Sequence, residues 1–294
     1  MLGSIKRHAV RLALIACASI VVSIATLTPV FGWWSGGHRM CTLAALRMLP
    51  AEMPAFFRAA GPELSELSVE PDNWKSPTAP HLKSTEHFEH FIDLELLNGK
   101  PLPETRSDLL RLYIDNKAGL GKGGFLPYSI LEGYERLMLA FRDYRNRPDA
   151  PGMQQKVLVY ASWVAHYCQD AAMPLHTTIN YDGKPGADGA VVQKGIHARI
   201  DAYPEKNGLT PEMLSEGQEA AEAAIAWPVI LKVIQSSHEQ VDKCYELDAA
   251  GGFDKEPAKG KELMLERTRV AAKLTADIWY SAWKNSAPEK ATIR

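Results

Sequence analysis

Residues 166–176 read HYCQDAAMPLH and place two imidazoles and a carboxylate within a short stretch. His166 and Asp170 are four residues apart, so a helix would present both from one face. Pro174 predicts that the helix ends before it, because a proline would remove a hydrogen bond and clash with the preceding turn. His176 would then approach from another direction. The arrangement fits a metal site or a catalytic acid/base pair, and equally a buried histidine beside a helix-end carboxylate.

The segments around this stretch carry the apolar spacing of helices. Residues 127–145, 153–169 and about 257–283 each place apolar side chains on one helical face, which predicts buried stripes. Thr210 and Pro211 suit a helix start, since threonine can cap it and proline fits its first turn. No segment alternates over several strands. We therefore predict a mostly helical fold of the all-α class.

Shorter segments have less regular patterns. Residues 39–48 have a helical apolar pattern. The prolines of residues 69–80 and the Gly- and Asp-rich residues 180–195 predict loops. With 46% apolar composition and no repeat or linker across 294 residues, we expect a single domain over residues 33–294.

The first residues have the composition of an export signal. Three basic residues precede an apolar run over residues 12–27, and Val30 and Gly32 occupy the positions that a signal peptidase recognises. We expect residues 1–32 to be removed, giving a secreted or periplasmic product that begins at Trp33. Its formal charge would move from −2 to about −5, so any attraction for phosphate has to be local.

Three cysteines, Cys41, Cys168 and Cys244, remain in the expected mature chain. An odd number in an oxidising compartment predicts one disulfide and one buried thiol. The sequence leaves the pairing open.

Further His and Asp residues extend the set. His197 and Asp201 repeat the i, i+4 spacing of His166 and Asp170, and His38 follows a Gly-Gly turn. One such pair arises often by chance, whereas two pairs with a third histidine beyond a proline coincide far less often. Imidazole nitrogen and carboxylate oxygen are suitable zinc ligands. The candidate ligands, enough for more than one ion, are His38, Asp72, His87 or His90, His166, Asp170, His176, His197 and Asp201.

In their order along the chain, these residues resemble the zinc-dependent single-strand nucleases of fungi and plants, which share a superfamily with bacterial zinc phospholipases C. The matching motifs are Trp-x4-His at 33–38, Asp72, His-Phe-Ile-Asp at 90–93, His-x3-Asp-x5-His at 166–176 and His-x3-Asp at 197–201. The resemblance covers most of the expected mature chain. It implies a helical bundle that holds three zinc ions.

The resemblance also implies how nine ligands divide among the ions. The first ion of a close pair would be held by Asp72, His90, His166 and Asp170. The second would be held by the free amine and carbonyl of Trp33, by His38, and by Asp170 as a bridge. The third would be held by His176, His197 and Asp201. An α-amino group titrates at about 7.7 to 8.0, so its neutral form is available to a metal.

The same resemblance implies roles beside the metals. Asp72 and Asp170 would be catalytic through the ions, and Lys75 would contact the scissile phosphate. Phe91 would stack on a base and Asp93 would accept hydrogen bonds from its edge. The alternative for Phe91 is a core aromatic, and the alternative for Lys75 is an ordinary surface lysine.

His87 and His90 compete for one ligand position. We choose His90 because residues 90–93 match the nuclease motif.

Three dications against three aspartates would leave roughly three positive charges in a protein that is negative overall, which would attract a phosphodiester.

The function expected from this resemblance is a secreted zinc phosphodiesterase, an endonuclease on single-stranded DNA and RNA that gives 5'-nucleotides and also has 3'-nucleotidase activity. Its partner would be a nucleic acid or nucleotide, with no obligate protein partner. Residues 195–197 read Gly-Ile-His, which is closer to the phospholipase segment than to the nuclease Asn-Leu-His. A phospholipase C acting on a phosphatidylcholine-like headgroup is therefore the alternative, although the spacing from Trp33 to His38 argues against it.

A third, non-enzymatic hypothesis is an exported zinc-binding structural protein. It leaves Lys75, Phe91 and Asp93 without a role. It also predicts no hydrolysis of an activated phosphodiester.

Overall fold

The computed structural model describes residues 33–119 and 122–287, and the all-α prediction is confirmed. The expected signal sequence lies outside these residues. In chain order the helices are α1 Ser35–Arg47, α2 Ala55–Ala59, α3 Gly61–Leu67, α4 Glu70–Asn73, α5 Pro80–Glu86, α6 Arg106–Asp115, α7 Leu126–Asn146, α8 Met153–Ala172, α9 Ile196–Lys206, α10 Pro211–Ser215, α11 Ala226–His238, α12 Val241–Ala249 and α13 Lys261–Asn285. Short 3-10 turns occupy His87–Glu89, Leu94–Leu97, Pro174–Thr177 and Pro257–Lys259. Among the described helices, none is both long and apolar enough to cross a membrane.

Helix α8 lies at the centre of the bundle. It packs most extensively against α7, and α13 lies against α7, α8 and α1. The junction is filled by aromatic side chains, with Phe57 placed 5.5 Å from Phe141 and 5.2 Å from Trp279, measured between ring centroids. The Trp279 indole donates to the Ala161 carbonyl at 2.8 Å. Burying each such ring contributes about 1.5–3 kcal/mol, so the helix that carries His166 and Asp170 is firmly held.

The end of α8 is held by polar contacts as well. Ser237 donates to the carbonyl of Ala171 at 2.6 Å, and the buried Arg267 donates to the carbonyl of Ala172 at 3.1 Å. The last carbonyls of a helix lack partners within it, and a cation there also complements the helix dipole. These two side chains therefore fix the turn that follows Asp170.

Two segments expected to be loops contain regular structure. Residues 69–80 hold the short helix α4, whose first turn carries Pro71 and Asp72; a proline and an acid both suit that position. Residues 180–195 hold the two-stranded antiparallel ribbon of β1 (Lys184–Pro185) and β2 (Val191–Val192). The loop prediction was wrong at these points because proline and glycine also occur at helix starts and ribbon turns.

The expected disulfide is absent among the described residues. Cys41, Cys168 and Cys244 are all buried and free. Cys41 and Cys168 belong to the main core, whereas Cys244 lies in a second apolar cluster with Trp33, Met173 and Tyr203. The prediction was wrong because these thiols serve as small core side chains.

Candidate metal centre

The structure gathers eight of the predicted ligands into three neighbouring groups. Within each group the ligand atoms lie within 4.8 Å of one another. The groups are His38/His166/Asp170, Asp72/His90/His166 and His176/His197/Asp201. We call the first two, which share His166, the paired groups, and the last the third group. His90 is included and His87 is not.

Asp170 faces two sets of histidines with its two oxygens. Its Oδ1 lies 3.6 Å from His38 Nε2. Its Oδ2 lies 2.9 Å from His90 Nδ1 and 3.3 Å from His166 Nε2. A carboxylate placed in this way can give one oxygen to each of two ions, so the geometry fits a bridging ligand.

The third group is built from two adjacent pieces of chain. His176 lies in the 3-10 turn beyond Pro174, and His197 and Asp201 lie one turn apart on α9. The two imidazole Nε2 atoms are 3.2 Å apart, and His197 Nε2 is 3.2 Å from Asp201 Oδ2. As the sequence predicted, His176 approaches from beyond the end of α8.

Several buried ligand atoms in these groups lack hydrogen-bond partners among the described residues. They are His38 Nε2, Asp72 Oδ2, Asp170 Oδ1, and both carboxylate oxygens of Asp201. Leaving a buried polar atom unpaired costs about 1–3 kcal/mol, more for a charged group, so such atoms normally have a role. A cation coordinated by these atoms would satisfy them, and the donor set of imidazole and carboxylate suits zinc.

Burial sets the protonation of the groups. It lowers the pKa of His38, His166 and His197 each to about 4. It raises the pKa of Asp170 and of Asp201 above the usual carboxyl range. The histidines are therefore neutral at pH 7, which is the form that binds metal, and a cation would favour the ionised carboxylates.

Four of the five histidines are oriented by a hydrogen bond at Nδ1, which directs Nε2 into the groups. The acceptors are Gln169 Oε1 for His38 at 2.7 Å, the Ser68 carbonyl for His166 at 2.8 Å, the His90 carbonyl for His176 at 2.7 Å and the Tyr181 carbonyl for His197 at 3.2 Å. Such outer partners fix the tautomer and the ring orientation of metal-binding histidines.

Sequence reasoning missed two residues beside the ligands. Gln169 accepts from His38 and donates to the Thr42 hydroxyl at 2.9 Å, all three being fully buried. Glu86 is buried and lies 3.3 Å from His90 Nε2. Glu86 is four residues before His90, so it repeats the acid/His spacing that singled out the other pairs; Gln169 carried no comparable signal.

Lys75 is in direct contact with the paired groups. Its ammonium nitrogen lies 2.6 Å from Asp72 Oδ1, and its side chain is 14% exposed. Lys75, His166 and His38 together lower the pKa of Asp72 despite the opposing effect of burial. Lys75 is therefore not an ordinary surface lysine, which was the alternative considered from the sequence.

Phe91 and Asp93 lie beside the centre, outside the three groups. Phe91 is half-buried and packs edge-on against His87, with ring centroids 5.6 Å apart. Asp93 is buried, and burial together with Glu95 raises its pKa to about 7. Their roles toward a substrate stay predictions.

A glycine allows this segment to approach its neighbour. Gly124 has φ +76°, and a Cβ there would come within 2.0 Å of the Phe91 carbonyl oxygen. Ile92 forms a bridge with Gly124, and its amide donates to the His176 carbonyl at 2.8 Å. The chain after His90 is thereby fixed against the third group.

Trp33 is buried next to Gln169. Its indole nitrogen donates to the backbone carbonyl of Gln169 at 3.0 Å, so its side chain contacts the residue that orients His38. Coordination by its amine stays a prediction.

No family model and no curated protein matches the chain. Among solved structures, it is similar to the alpha-toxin of Clostridium perfringens isolated from an avian strain, with a TM-score of 0.50 at 14% identity over 89% of this chain and 67% of the toxin. The alpha toxin of Clostridium absonum gives a TM-score of 0.48 at 14% identity over 88% of this chain and 68% of that one. At these identities, the likeness to the first toxin supports a shared helical fold.

Proposed function

We propose that this protein is a zinc-dependent phosphoester hydrolase with three bound ions. The observation that carries the proposal is the gathering of five buried histidines and three aspartates into three groups whose unpartnered atoms face one another. The two oxygens of Asp170 suit a shared ligand of a close ion pair. The order of these ligands along the chain, which resembles that of zinc-dependent phosphodiesterases, supports the same class of reaction.

In this proposal the residues of the chain would bind the ions, orient their ligands and add a positive charge at the edge of the site. Bound zinc would supply Lewis acidity toward a phosphoryl oxygen and would lower the pKa of water near it. Asp72 and Asp170 would hold the ion pair together with the buried histidines. Lys75, held against Asp72, keeps a positive charge at the edge of the pair, where it can attract and position a phosphate.

A phospholipid headgroup is the first candidate substrate. Its support is the fold shared with the Clostridium perfringens alpha-toxin, together with residues 195–197, which are closer to the phospholipase segment than to the nuclease segment. Single-stranded nucleic acid is the second candidate. Its support is the spacing from Trp33 to His38 and the sequence His90-Phe91-Ile92-Asp93.

The decisive experiment compares substrates on the zinc-loaded protein. Release of phosphocholine from phosphatidylcholine, with single-stranded DNA and RNA left intact, would support the phospholipase. Cleavage of single-stranded DNA or RNA, with phosphatidylcholine left intact, would support the nuclease. Bis(nitrophenyl) phosphate serves as a substrate that needs no specific recognition. If it also stays intact while zinc is bound, the non-enzymatic hypothesis is favoured.

The proposal includes export and cleavage before Trp33. The composition of residues 1–32 supports a secreted or periplasmic location, and the new α-amine would become a ligand of the second ion. Adding one residue before Trp33 should then remove one zinc ion and most of the activity, as measured by metal analysis of the purified protein. Full zinc content in that variant would exclude the amine as a ligand.

A further inference from the structure

The imidazole of His90 faces its group with the opposite nitrogen from the other four histidines. Its Nδ1 lies 2.9 Å from Asp170 Oδ2, 3.0 Å from His166 Nε2 and 3.8 Å from Asp72 Oδ1. Its Nε2 points away, toward α5. The other four rings present Nε2 to their groups and use Nδ1 for an outer hydrogen bond.

This orientation decides where the His90 proton must be. A neutral imidazole that gives its Nδ1 lone pair to an ion carries its proton on Nε2. The His90 residue is only 3% exposed, so this proton needs an acceptor inside the protein. No hydrogen bond at Nε2 is formed by the described residues, and the carboxylate within ion-pair distance of it is Glu86, whose Oε1 lies 3.3 Å away.

Glu86 is itself held in place. It is the last residue of α5 and the buried one on a helix that is otherwise exposed. The Tyr167 hydroxyl donates to Glu86 Oε1, and Tyr167 follows His166 on α8. The Tyr167 ring also packs edge-on against the His90 ring, with centroids 5.5 Å apart. Tyr167 thus contacts both Glu86 and the imidazole beside it.

We propose that Glu86 is a positioning residue that accepts the Nε2 proton of His90, fixes this ring for coordination through Nδ1, and is held by the Tyr167 hydroxyl. The inference rests on the proposed zinc site. It assigns a function to a buried carboxylate that is not itself a member of the three groups. Glu86 is also the carboxyl partner in the set, because the other four acceptors are three backbone carbonyls and one amide.

Substitutions at Glu86 separate this role from simple packing. Glu86→Leu removes the acceptor and should weaken one ion of the pair by about 10–100-fold, while the third group keeps its zinc. Glu86→Gln retains an acceptor oxygen and should recover much of that loss. Tyr167→Phe frees the carboxylate and should give a smaller loss than Glu86→Leu. Zinc bound per chain, measured during titration with a competing chelator, gives these values without an activity assay.

The matched control is Glu89→Gln, in the same short segment. The Glu89 carboxylate pairs with Arg106 and accepts from Ser129, so it points away from His90. This variant loosens the segment without touching the imidazole. Equal zinc loss in Glu89→Gln and Glu86→Leu would show that only the local fold matters, and would overturn the proposal.

Nitrogen-15 NMR of the histidines in the zinc-loaded protein provides the second readout. We expect one histidine, assigned to His90 by its loss in His90→Gln, to be bound through Nδ1 with its proton on Nε2, and four to be bound through Nε2. Coordination of His90 through Nε2, or unchanged zinc affinity in Glu86→Leu, would overturn the positioning role while leaving the hydrolase proposal intact. A wild-type protein that binds no zinc would overturn both.

Discussion

The paired groups and the third group are assembled from the chain in different ways. The ligands of the paired groups come from α1, α4, α8 and the segment after α5, and span residues 38–170. The third group takes its ligands from residues 176–201 alone. The first region therefore depends on the packing of the whole bundle, whereas the second depends on one local stretch held against α8.

The two regions also differ in the partners to which their histidines are hydrogen-bonded. In the third group the histidines donate to backbone carbonyls, of His90 and Tyr181. In the paired groups, His166 also donates to a backbone carbonyl, that of Ser68, but His38 donates to the side chain of Gln169 and His90 lies beside Glu86. Side chains can be replaced one at a time, so the paired groups should respond to substitutions outside the ligand set to which the third group is insensitive.

Removing the shared carboxylate should have the largest effect. Asp170→Ala should lose both ions of the pair and lower activity by roughly a thousandfold or more, because a metal pair contributes several kcal/mol to the barrier. Asp201→Ala, its matched variant, should lose only the third ion. Zinc per chain by elemental analysis distinguishes them; equal losses would mean that Asp170 is not shared.

Loss of the Gln169 side chain should have the next largest effect. Gln169→Leu leaves His38 Nδ1 without its acceptor, so we expect zinc in the pair to bind about 10–100-fold more weakly. Gln193→Leu is the control, since Gln193 bonds Tyr245 and Asp248 beside the other region. If both variants keep full affinity in a chelator titration, the side-chain support of the pair is unimportant.

The acid sensitivity of the zinc-free protein should decrease when His197 is removed. Burial lowers the His197 pKa from 6.5 to about 4, so between these values the unfolded chain binds a proton that the folded chain does not. Stability therefore falls as pH falls through this window, by on the order of 3 kcal/mol for this group. Denaturant unfolding at pH 7 and pH 4.5 should show a smaller decrease in the free energy of unfolding for His197→Gln than for the wild type. An equal or larger decrease would contradict the burial argument.

The ribbon beside the third group should have the smallest effect. Val191 and Val192 are 63% and 39% exposed, so changing both to serine should alter the free energy of unfolding by no more than about 0.5 kcal/mol each. The zinc content should stay the same, because the third group is held through the Tyr181 carbonyl. A lost ion in this double variant would show that the ribbon supports the site.

The sequence predicted the long helices well, and eight of the candidate ligands that it named lie together in the three groups. Apolar spacing located α7, α8 and α13 to within a few residues, and Pro174 correctly marked the end of α8. The paired i, i+4 residues were informative because that spacing has one meaning on a helix.

The remaining features depend on contacts between distant segments. The contact of Gln169 with His38 forms only when α1 packs against α8, so the sequence could not predict it. The contact of Glu86 with His90 depends on the orientation of the His90 ring, which the sequence also does not give. Helix α4 is four residues long and contains a proline, so local pattern could not separate it from a loop. The thiols stayed unpaired because packing decides which cysteines meet, and an odd count says nothing about distance.

His176 connects the two regions through its backbone and its ring. Its Nδ1 donates to the His90 carbonyl, its own carbonyl accepts from Ile92, and its Nδ1 lies 3.5 Å from Asp170 Oδ1. Binding of an ion in the third group would thus affect His90, a ligand of the pair, and Asp170, the shared carboxylate. Thermodynamic linkage then requires reciprocity: whatever factor the third ion applies to the affinity of the pair, the pair applies to the third ion.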